Sequence, residues 1–574
     1  MRGDSEDYAM FATIDQYLPL KRLAHWTATT PDAIYLSQPT ASGECRDFTW
    51  AEVSDTAHRM AAHLHGRGWP AGSRIAILSK NSAWWYMADF AIWLAGHVSV
   101  PIYPSLTGES VRYVLEHAEA KAVFVGQLDS SDRAAMLTGI PAALDAIRLP
   151  TAGAPLPNDR VADEWQALVA RHAPLPNPPD RGAEELATII YTSGTTGLPK
   201  GVMHHFRALA VSGYALKLAY NATPDDRVLS YLPLAHVADR VASEMHSLTA
   251  GMRVWFSLGL ETFTADLQRA RPTFFLSVPR LWTKFRQAIN AKIPQPQLAA
   301  MLADPDKGPL VRKQILSQLG LDAVRVPTFG AAPMPPDLQQ WYLDLGLDML
   351  EVYGMTENMA VSHRTSAGAG RIGYVGQPSF EVEARLDPAN GELLVKSPGQ
   401  MIGYYKDEAK TAEAMTDDGY FRTGDVGEID ADGYFRITGR AKEAFKTAKG
   451  KYVAPSQIEN KLGAHGFVEA CCVAGNGFPQ PFAMLMLSPA AAAKCAEDGG
   501  RDAVGSVLEA LREQVNATLD PHERLDRLIV VPDAWTVDNG MVTPTFKVKR
   551  AALEARYGAA FEAWAARREV VVWA

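Results

Sequence analysis

The chain has 574 residues, of which 47% are hydrophobic and 21% are charged, and its formal net charge at pH 7 is −9. This length exceeds what one hydrophobic core supports, so we expect at least two domains. The negative charge argues against a nucleic-acid-binding surface, which is normally basic. The four cysteines form no CxxC pair and no metal-ligand spacing with histidine, which suits a reducing cytosol.

The sequence contains no obvious membrane span or secretion signal. The acidic N-terminus "MRGDSEDYAMF" lacks an apolar signal core. The most apolar stretch, Trp84 to Tyr103, is interrupted by Asp89, Gly96, His97 and Pro101, so it predicts a core helix followed by a strand. The final "REVVVWA" favours a terminal strand over a membrane-surface contact. We therefore expect a cytoplasmic protein and leave open a peripheral contact with the inner face of a membrane.

Apolar runs and helical patterns alternate from "SRIAIL" through "VSVPIY", "GESVRYVLEHAEA" and "AVFV", which predicts a parallel sheet with covering helices. The alternation resumes over residues 271–348. Short β-like runs punctuated by glycine then extend from Gly373 to Arg440, and a lysine-rich α+β segment follows. We predict an α/β fold: a large N-terminal domain (1–440) of layered, parallel-rich sheets with helices plus a β-rich subdomain, and a small mobile α+β C-terminal domain (441–574).

The segment "YTSGTTGLPKGV", Tyr191 to Val202, combines three glycines, four hydroxyl residues and Lys200 directly after the predicted buried strand "LATII". Glycine-rich turns that leave a strand can direct several amides and hydroxyls at one phosphate. A mononucleotide P-loop would end in Gly-Lys-Ser/Thr, which this segment does not. The alternative interpretation is an ordinary polar surface loop.

Five further segments accompany this loop: "YLPLAHVADR", "FGAAP", "VYGMTEN", "YFRTGDVGEID" with "TGR", and "PTFKVKR". In this order and at these separations they resemble the adenylate-forming superfamily of acyl-CoA synthetases, luciferase-like enzymes and peptide-synthetase adenylation domains. The resemblance extends from about Phe48 to Arg550. Within the superfamily, "LPLAHVADRVASE", "FGAAPMP" and "TPTFKVKR" are most similar to the long-chain fatty acid CoA ligases.

The resemblance implies a site for ATP and Mg²⁺. The loop that would embrace the β- and γ-phosphates consists of Thr192, Ser193, Gly194, Thr195, Thr196, Gly197 and Lys200. Glu357 and Thr196 would hold Mg²⁺, a hard cation that prefers oxygen ligands. Thr356 would hydrogen-bond the α-phosphate.

The same resemblance implies a pocket for the nucleoside. Tyr353 would stack on adenine beside Gly354, and Gly330, Ala331 and Ala332 would form a close backbone wall. Asp425 would accept hydrogen bonds from the ribose hydroxyls, and Arg440 would reach the same sugar or the phosphates. Taken alone, "YGMTE" is equally typical of a turn between elements.

Besides Thr356, two further residues are implied to be catalytic. Lys547, preferred over Lys549, would neutralise the charge that develops when a carboxylate attacks the α-phosphorus. The family usually has glycine before this lysine, whereas Phe546 precedes it here. His236 would lie near the carboxylate or the acyl entrance. The alternatives are a solvated basic patch for "KVKR" and a hydrogen-bonded core histidine.

For the second half-reaction, the resemblance implies a hinge at Lys442 and a coenzyme A tunnel lined by Lys446, Lys449, Gly450 and Lys451. The predicted reaction joins a fatty acid to CoA through acyl-AMP. The acyl chain would occupy an apolar tunnel formed partly by residues after His236 and by "SVPRLW". The expected substrate class is medium- to long-chain.

Three alternatives compete with this prediction: a ligase that delivers acyl-AMP to an acceptor other than CoA, a non-catalytic nucleotide-binding module, and a luciferase-like oxidase. The non-catalytic alternative predicts loss of Lys547, Thr356 or Glu357, all of which are present. Monomer and homodimer both stay open.

Overall fold

The computed structural model describes residues 14–40, 42–128, 133–152, 163–192, 199–441, 443–543 and 547–574. Over these residues the predicted fold class is confirmed: two large α/β sheets are followed by a β-rich region and by an α+β C-terminal region. The β-rich region ends with a strand that finishes at Arg440. The domain boundary at residue 440 stays a prediction.

The first large sheet contains the alternating strands of the N-terminal third of the chain. Strands Arg74–Leu78, Val98–Ile102 and Ala122–Val125 run parallel, as the alternation predicts. Helices Ala83–Leu94 and Gly108–His117 connect them. In the described part of the chain, its eight strands lie in the order Gly403–Tyr404, Lys200–His205, Leu186–Thr192, Val98–Ile102, Arg74–Leu78, Ala122–Val125, Asp145–Arg148 and Asp163–Glu164.

The second large sheet places two predicted site segments side by side. Strands Val326–Gly330 and Leu350–Tyr353 are parallel neighbours, so their carboxyl ends lie at the same edge, where open α/β sheets commonly bind ligands. Its nine strands among the described residues are, in order, Gln377–Pro378, His363–Arg364, Leu350–Tyr353, Val326–Gly330, Phe274–Ser277, Arg227–Ser230, Arg253–Phe256, Ile34–Pro39 and Cys45–Thr49.

One hydrophobic core joins the two large sheets. Every residue of helix Ala83–Leu94 is buried, as expected for a helix that is apolar around its whole circumference. The same cluster contains Ile75 and Ile190 from the first sheet and Val254 from the second. The stretch predicted as a core helix plus strand is therefore confirmed.

The remaining sheets are smaller. The β-rich region is an antiparallel sheet of Glu383–Leu386, Glu392–Lys396, Phe421–Ile429 and Phe435–Arg440. The C-terminal region has a sheet of Val468–Ala474, Phe482–Leu487, Leu528–Val530 and Val571–Trp573, and a short pair Phe445–Lys446 and Tyr452–Val453. The last strand of the larger sheet confirms the prediction for "REVVVWA".

Helices cover the sheets on their faces. A continuous helical segment consists of Val237–Asp239, a π-helical turn Arg240–Met245 and His246–Ala250. No helix within the described ranges is both long and apolar enough to cross a membrane. The other helices are Pro19–Thr29, Trp50–Gly66, Ala83–Leu94, Gly108–His117, Arg133–Leu137, Trp165–Arg171, Phe206–Tyr220, Phe263–Ala270, Pro279–Asn290, Gln295–Ala303, Gly308–Leu319, Pro336–Asp344, Thr356–Asn358, Glu408–Glu413, Pro455–Gly463, Pro489–Cys495, Gly500–Asn516, Arg550–Tyr557, Gly558–Ala560 and Phe561–Ala565.

Gly213 allows helix Phe206–Tyr220 to pack closely against the π-helical turn. A Cβ atom at Gly213 would lie 2.5 Å from the carbonyl oxygen of Met245. We expect Gly213→Ala to lower the free energy of unfolding by about 1–3 kcal/mol, because backbone atoms must separate. The measurement is urea or thermal unfolding. The control is Gly505→Ala, whose Cβ would meet nothing within 4 Å and which should stabilise its helix by about 0.5–1 kcal/mol. Equal stability of Gly213→Ala and wild type would contradict the prediction.

Candidate active site

The predicted phosphate loop connects two antiparallel strands, Leu186–Thr192 and Lys200–His205, in which Thr192 pairs with Lys200. The Lys200 ammonium lies 4.9 Å from the centre of the Tyr404 ring, within the range of a cation–π contact. A positive charge therefore stands at the base of the loop. The predicted phosphate-binding residues Ser193, Gly194, Thr195, Thr196 and Gly197 lie outside the described residues, and their roles stay predictions.

Two side chains that sequence reasoning missed hold Thr356 and Glu357. Tyr404 Oη donates to Glu357 Oε1 at 2.8 Å. His204 Nε2 lies 2.7 Å from the carbonyl oxygen of Thr356, and burial lowers the pKa of His204 to about 3. The ring is therefore neutral, with its proton on the nitrogen that faces the carbonyl. Since His204 belongs to the strand that follows the predicted phosphate loop, the two segments are physically connected.

The glycines of the predicted nucleoside wall are required by close backbone packing. A Cβ atom would lie 2.6 Å from the Val352 carbonyl oxygen if placed on Gly330, and 2.5 Å from the Ala360 carbonyl carbon if placed on Gly354. Both distances are well inside van der Waals contact. Gly330 thus allows its strand to approach the neighbouring strand, and Gly354 allows the chain to approach the backbone at Ala360.

The remaining wall residues, Ala331 and Ala332, are both exposed. Ala331 has a positive φ of 64°. Gly330, Ala331, Tyr353 and Gly354 line one cavity, as a nucleoside wall would require. Stacking of Tyr353 on adenine stays a prediction.

Asp425 binds two other predicted site residues through its carboxylate. Tyr353 Oη donates to Asp425 Oδ2 at 2.6 Å, and Arg440 Nε lies 2.9 Å from Asp425 Oδ1. Burial, together with the nearby Asp425 charge, raises the pKa of Tyr353 well above its usual range, so the phenol stays a donor. A carboxylate has about four lone-pair sites. Asp425 can therefore keep these partners and still accept hydrogen bonds from a ribose.

Lys547 reaches this site from the C-terminal region. Burial lowers the pKa of Lys547, and the Arg440 charge lowers it further, while Asp425, Glu443 and Glu357 act in the opposite direction. Lys547 is nevertheless exposed to solvent. A side chain in a cleft can be reached by water while protein atoms surround it. Lys547 is therefore close to the carboxylates that the sequence analysis grouped with it.

The backbone around Lys547 is held in place by its own neighbours. Lys547 N donates to Thr543 Oγ1 at 3.1 Å, and Val542 forms a β-bridge with Val548. Three residues further on, Arg550 forms an ion pair with Glu459 at 2.6 Å. These contacts attach the Lys547 segment to the body of the C-terminal region.

The C-terminal region in turn contacts the N-terminal part of the chain. Arg280, on helix Pro279–Asn290, forms an ion pair with Glu469. Gln457 Nε2 donates to the carbonyl oxygen of Thr438 at 2.9 Å. The observed orientation, with Lys547 near Asp425, is therefore supported by contacts outside the site.

His236 has both features that the sequence analysis treated as alternatives. Its Nδ1 accepts a hydrogen bond from Ala238 N at 3.1 Å and caps the following helix, so the ring proton of the neutral form is on Nε2. Burial first, and the Lys547 charge second, lower the pKa of His236 to about 4. His236 also lines the cavity. It is thus a neutral hydrogen-bond donor at neutral pH.

A single cavity extends from the predicted nucleoside wall past His236 into an apolar interior. It encloses about 1140 Å³ between protein atoms, part of it open to solvent. Of the "SVPRLW" segment, Ser277 and Val278 line this cavity, whereas Trp282 is fully buried in a separate core cluster. Residues that follow His236, such as Val241, line the cavity as expected, whereas sequence reasoning missed the lining residues Ala215, Leu216, Phe274 and Val361.

A buried charge cluster fixes the helix that follows His236. Arg240 is completely buried and forms ion pairs with Asp89 and with Glu244. Two carboxylates share one guanidinium, and burial raises the pKa of both Glu244 and Asp89. Arg240 also lies 5.1 Å from the centre of the Trp85 ring. The i,i+4 spacing of Arg240 and Glu244 indicates their ion pair in the sequence. Nothing in the sequence indicates that the distant Asp89 joins them.

The described residues suit a metal ion that arrives with a nucleotide. They contain no cluster of three His, Cys, Asp or Glu side chains able to hold a metal alone. Mg²⁺ usually binds one or two carboxylates together with substrate phosphates. Glu357, fixed by Tyr404, supplies one such carboxylate. Thr196, the other predicted ligand, lies in the undescribed loop.

The predicted coenzyme A residues lie in a surface turn. Gly450 has a φ of +73°, and a Cβ atom there would meet nothing within 4 Å. The positive φ of the turn therefore favours glycine at this position, and close packing does not require it. Lys446 lies 4.7 Å from the centre of the Tyr452 ring, and Lys449 and Lys451 are exposed. The roles of these residues stay predictions, and the predicted hinge Lys442 is outside the described residues.

Comparison with known proteins agrees with this geometry. Residues 23–405 match the AMP-binding enzyme family, and residues 443–569 match the AMP-binding enzyme C-terminal domain. The chain is 31% identical to a long-chain-fatty-acid–CoA ligase of Mycobacterium bovis, over 93% of this chain and 94% of that protein. It is 30% identical to the peroxisomal long chain acyl-CoA synthetase 6 of Arabidopsis thaliana, over 88% of this chain and 80% of that protein.

A solved structure supports the fold. The adenylation domain of a carboxylic acid reductase from Segniliparus rugosus, in complex with AMP and a co-purified carboxylic acid, superimposes with a TM-score of 0.79 and 23% identity. The match covers 97% of this chain and 96% of that chain. At this identity the likeness concerns the fold alone. The family matches confirm the predicted resemblance: the chain belongs to the AMP-binding enzyme family, the adenylate-forming enzymes that include the long-chain fatty acid CoA ligases.

Proposed function

We propose that the protein activates a medium- to long-chain fatty acid with ATP to acyl-AMP and transfers the acyl group to coenzyme A, releasing AMP and pyrophosphate. The observation that carries the proposal is the single cavity that has Gly330, Ala331 and Tyr353 at one end and apolar side chains beyond His236 at the other. One cavity of this kind can hold a nucleotide and an acyl chain with the carboxylate between them.

In the first half-reaction, a carboxylate oxygen attacks the α-phosphorus, the bond to the β-phosphate breaks, and pyrophosphate leaves. Negative charge grows on the phosphate oxygens as this happens. The Lys547 ammonium, near Glu357 and Asp425, is suited to neutralise that charge. Neutral His236 can donate a hydrogen bond from Nε2–H to the reacting oxygens while it keeps its proton. Mg²⁺ bound at Glu357 would screen the phosphates.

In the second half-reaction, the CoA thiolate attacks the acyl carbonyl and AMP leaves, so a thioester bond replaces the mixed anhydride. Lys547, which is influenced by the Asp425 and Glu357 charges, would occupy one approach to the carbonyl of a bound acyl-AMP. We therefore propose that the C-terminal region turns about Lys442 and brings the turn with Lys446 and Gly450 to the site. The ion pair between Arg280 and Glu469 would break in this movement.

The substrate proposal is tested by measuring pyrophosphate release with and without CoA for carboxylates from acetate to oleate. We expect pyrophosphate release to be fastest for medium or long chains, because burial of each methylene in the apolar part of the cavity stabilises the bound substrate by about 0.8 kcal/mol. With CoA present, thioester should form in step with AMP. Pyrophosphate release without CoA consumption would instead favour an acceptor other than CoA.

Lys547 can be tested separately in each half-reaction. We expect Lys547→Ala to slow acyl-AMP formation by about 10²- to 10³-fold, because it removes a charge aimed at the transition state. Thioester formation from supplied acyl-AMP should stay nearly unchanged. The matched control is Lys549→Ala, two residues away, which should retain both activities. Equal losses in both half-reactions, or a larger loss in the control, would overturn the role of Lys547.

The pKa of Lys547 predicts a pH dependence of adenylation. Lys547 acts in its protonated form, and burial lowers its pKa from the ordinary value of 10.5, so the rate should fall as the pH rises through the lowered pKa. Glu443 raises this pKa. We therefore expect Glu443→Gln to shift the alkaline limb of the acyl-AMP formation profile to lower pH. The control is Glu428→Gln, which breaks an exposed ion pair with Arg436; equal shifts in both variants would refute the prediction.

A further inference from the structure

The apolar part of the cavity follows the helical segment that begins after His236. Ala238, Ala242 and His246 line the cavity at spacings of four residues, which places them on one face of the segment. His246 is ten residues beyond His236, so the two ends are about 15 Å apart along the helix axis. The two alanines leave room for a chain, and the larger His246 side chain marks the far end.

Tyr220 stands at the same end on the neighbouring helix. It lines the cavity and is the last residue of helix Phe206–Tyr220. Both side chains pack against one aromatic ring: the Phe274 ring centre lies 6.0 Å from that of Tyr220 and 4.8 Å from that of His246. Tyr220 and His246 therefore bound the far end of the cavity together.

Each of these two side chains has a buried polar atom without a partner. Tyr220 is 7% exposed and His246 is 2% exposed. Within the described ranges, neither Tyr220 Oη nor His246 Nε2 has a hydrogen-bond partner. Buried polar atoms nearly always have a hydrogen-bond partner. Two buried polar atoms without one, at the same end of a ligand cavity, therefore point to a polar group on the ligand.

Of the two atoms without a partner, one can accept a hydrogen bond and the other can donate one. His246 is hydrogen-bonded to the backbone of Ala242, and a carbonyl can only accept, so Nδ1 holds the proton and Nε2 offers a lone pair. Burial lowers the pKa of His246 to about 3 and raises the pKa of Tyr220 to about 12. Both are neutral at physiological pH. The site thus presents one acceptor and one O–H donor.

We propose that the end of the cavity binds a hydroxyl group on the acyl chain, so that the substrate is a hydroxy fatty acid whose hydroxyl is far from the carboxylate. A hydroxyl can accept from Tyr220 Oη and donate to His246 Nε2 at the same time. A carbonyl oxygen can do only the first. A second carboxylate would need a charged partner: Tyr220 and His246 are neutral, and the guanidinium of Arg364, which also lines the cavity, already donates to Ser366 Oγ at 2.9 Å. The inference rests on the proposed fatty acid activation and specifies its substrate.

The test compares fatty acids of one chain length with and without a hydroxyl at successive positions, using acyl-AMP formation by the full-length protein as the readout. We expect kcat/KM for the best hydroxy acid to exceed that of the plain acid by about tenfold or more, the effect of hydrogen bonds made only by that substrate. The preference should peak at one position, since the site is fixed. A dicarboxylic acid of the same length should be a poor substrate.

Variants test whether Tyr220 and His246 cause the preference. Tyr220→Phe removes only the hydroxyl and should abolish most of the preference by lowering kcat/KM for the hydroxy acid, with little effect on the plain acid. His246→Leu should act in the same direction. The control is Tyr214→Phe, on the same helix, whose ring packs 5.9 Å from that of Phe380 and which should keep the preference.

The possible results separate this inference from the proposed function. If no fatty acid yields acyl-AMP, the proposed function fails. If plain acids react as well as every hydroxy acid, or if the dicarboxylic acid is preferred, the fatty acid activation stands and the hydroxyl site is refuted. Since the comparison of substrates uses the wild-type protein, it decides the inference even if a variant does not fold.

Discussion

The arrangement of the site depends on the carboxylate of Asp425. It accepts a hydrogen bond from Tyr353 of the second large sheet and forms an ion pair with Arg440 of the β-rich sheet. Its charge also acts on Lys547 of the C-terminal region. The second large sheet, the β-rich sheet and the C-terminal region therefore meet at one buried anion. Burying a carboxylate without such partners is energetically unfavourable. The contacts that stabilise the Asp425 carboxylate therefore also fix the relative positions of these parts.

Local patterns in the sequence were sufficient to predict much of the fold. Alternating apolar runs correctly indicated the parallel strands Arg74–Leu78, Val98–Ile102 and Ala122–Val125, because buried parallel strands consist of continuous apolar residues. The short motifs selected Tyr353, Asp425 and Lys547, which the fold brings together. Recognition of the family supplied their roles, which composition and spacing alone do not contain.

Contacts between distant parts of the chain were not predictable in this way. Asp89 interrupts an apolar helix, and its partner Arg240 is 151 residues away. Tyr404, which fixes Glu357 and stacks against Lys200, lies in an unremarkable segment. The apolar cavity is formed by one face each of several elements, so no single stretch of sequence marks it. Periodicity indicates which face of a helix is buried, but it does not distinguish a face that packs from one that borders a cavity.

The π-helical turn Arg240–Met245 has a consequence for how this segment would tolerate a change in length. A π turn contains one more residue than the α turn it replaces. Deleting one residue there would let the segment close into a regular α-helix, while the flanking helical residues keep their positions. The turn itself contains Arg240, which forms ion pairs with Asp89 and Glu244, and Ala242, which lines the cavity. The deletion would therefore change the buried charge cluster and the cavity wall locally, and the helices on either side would keep their packing.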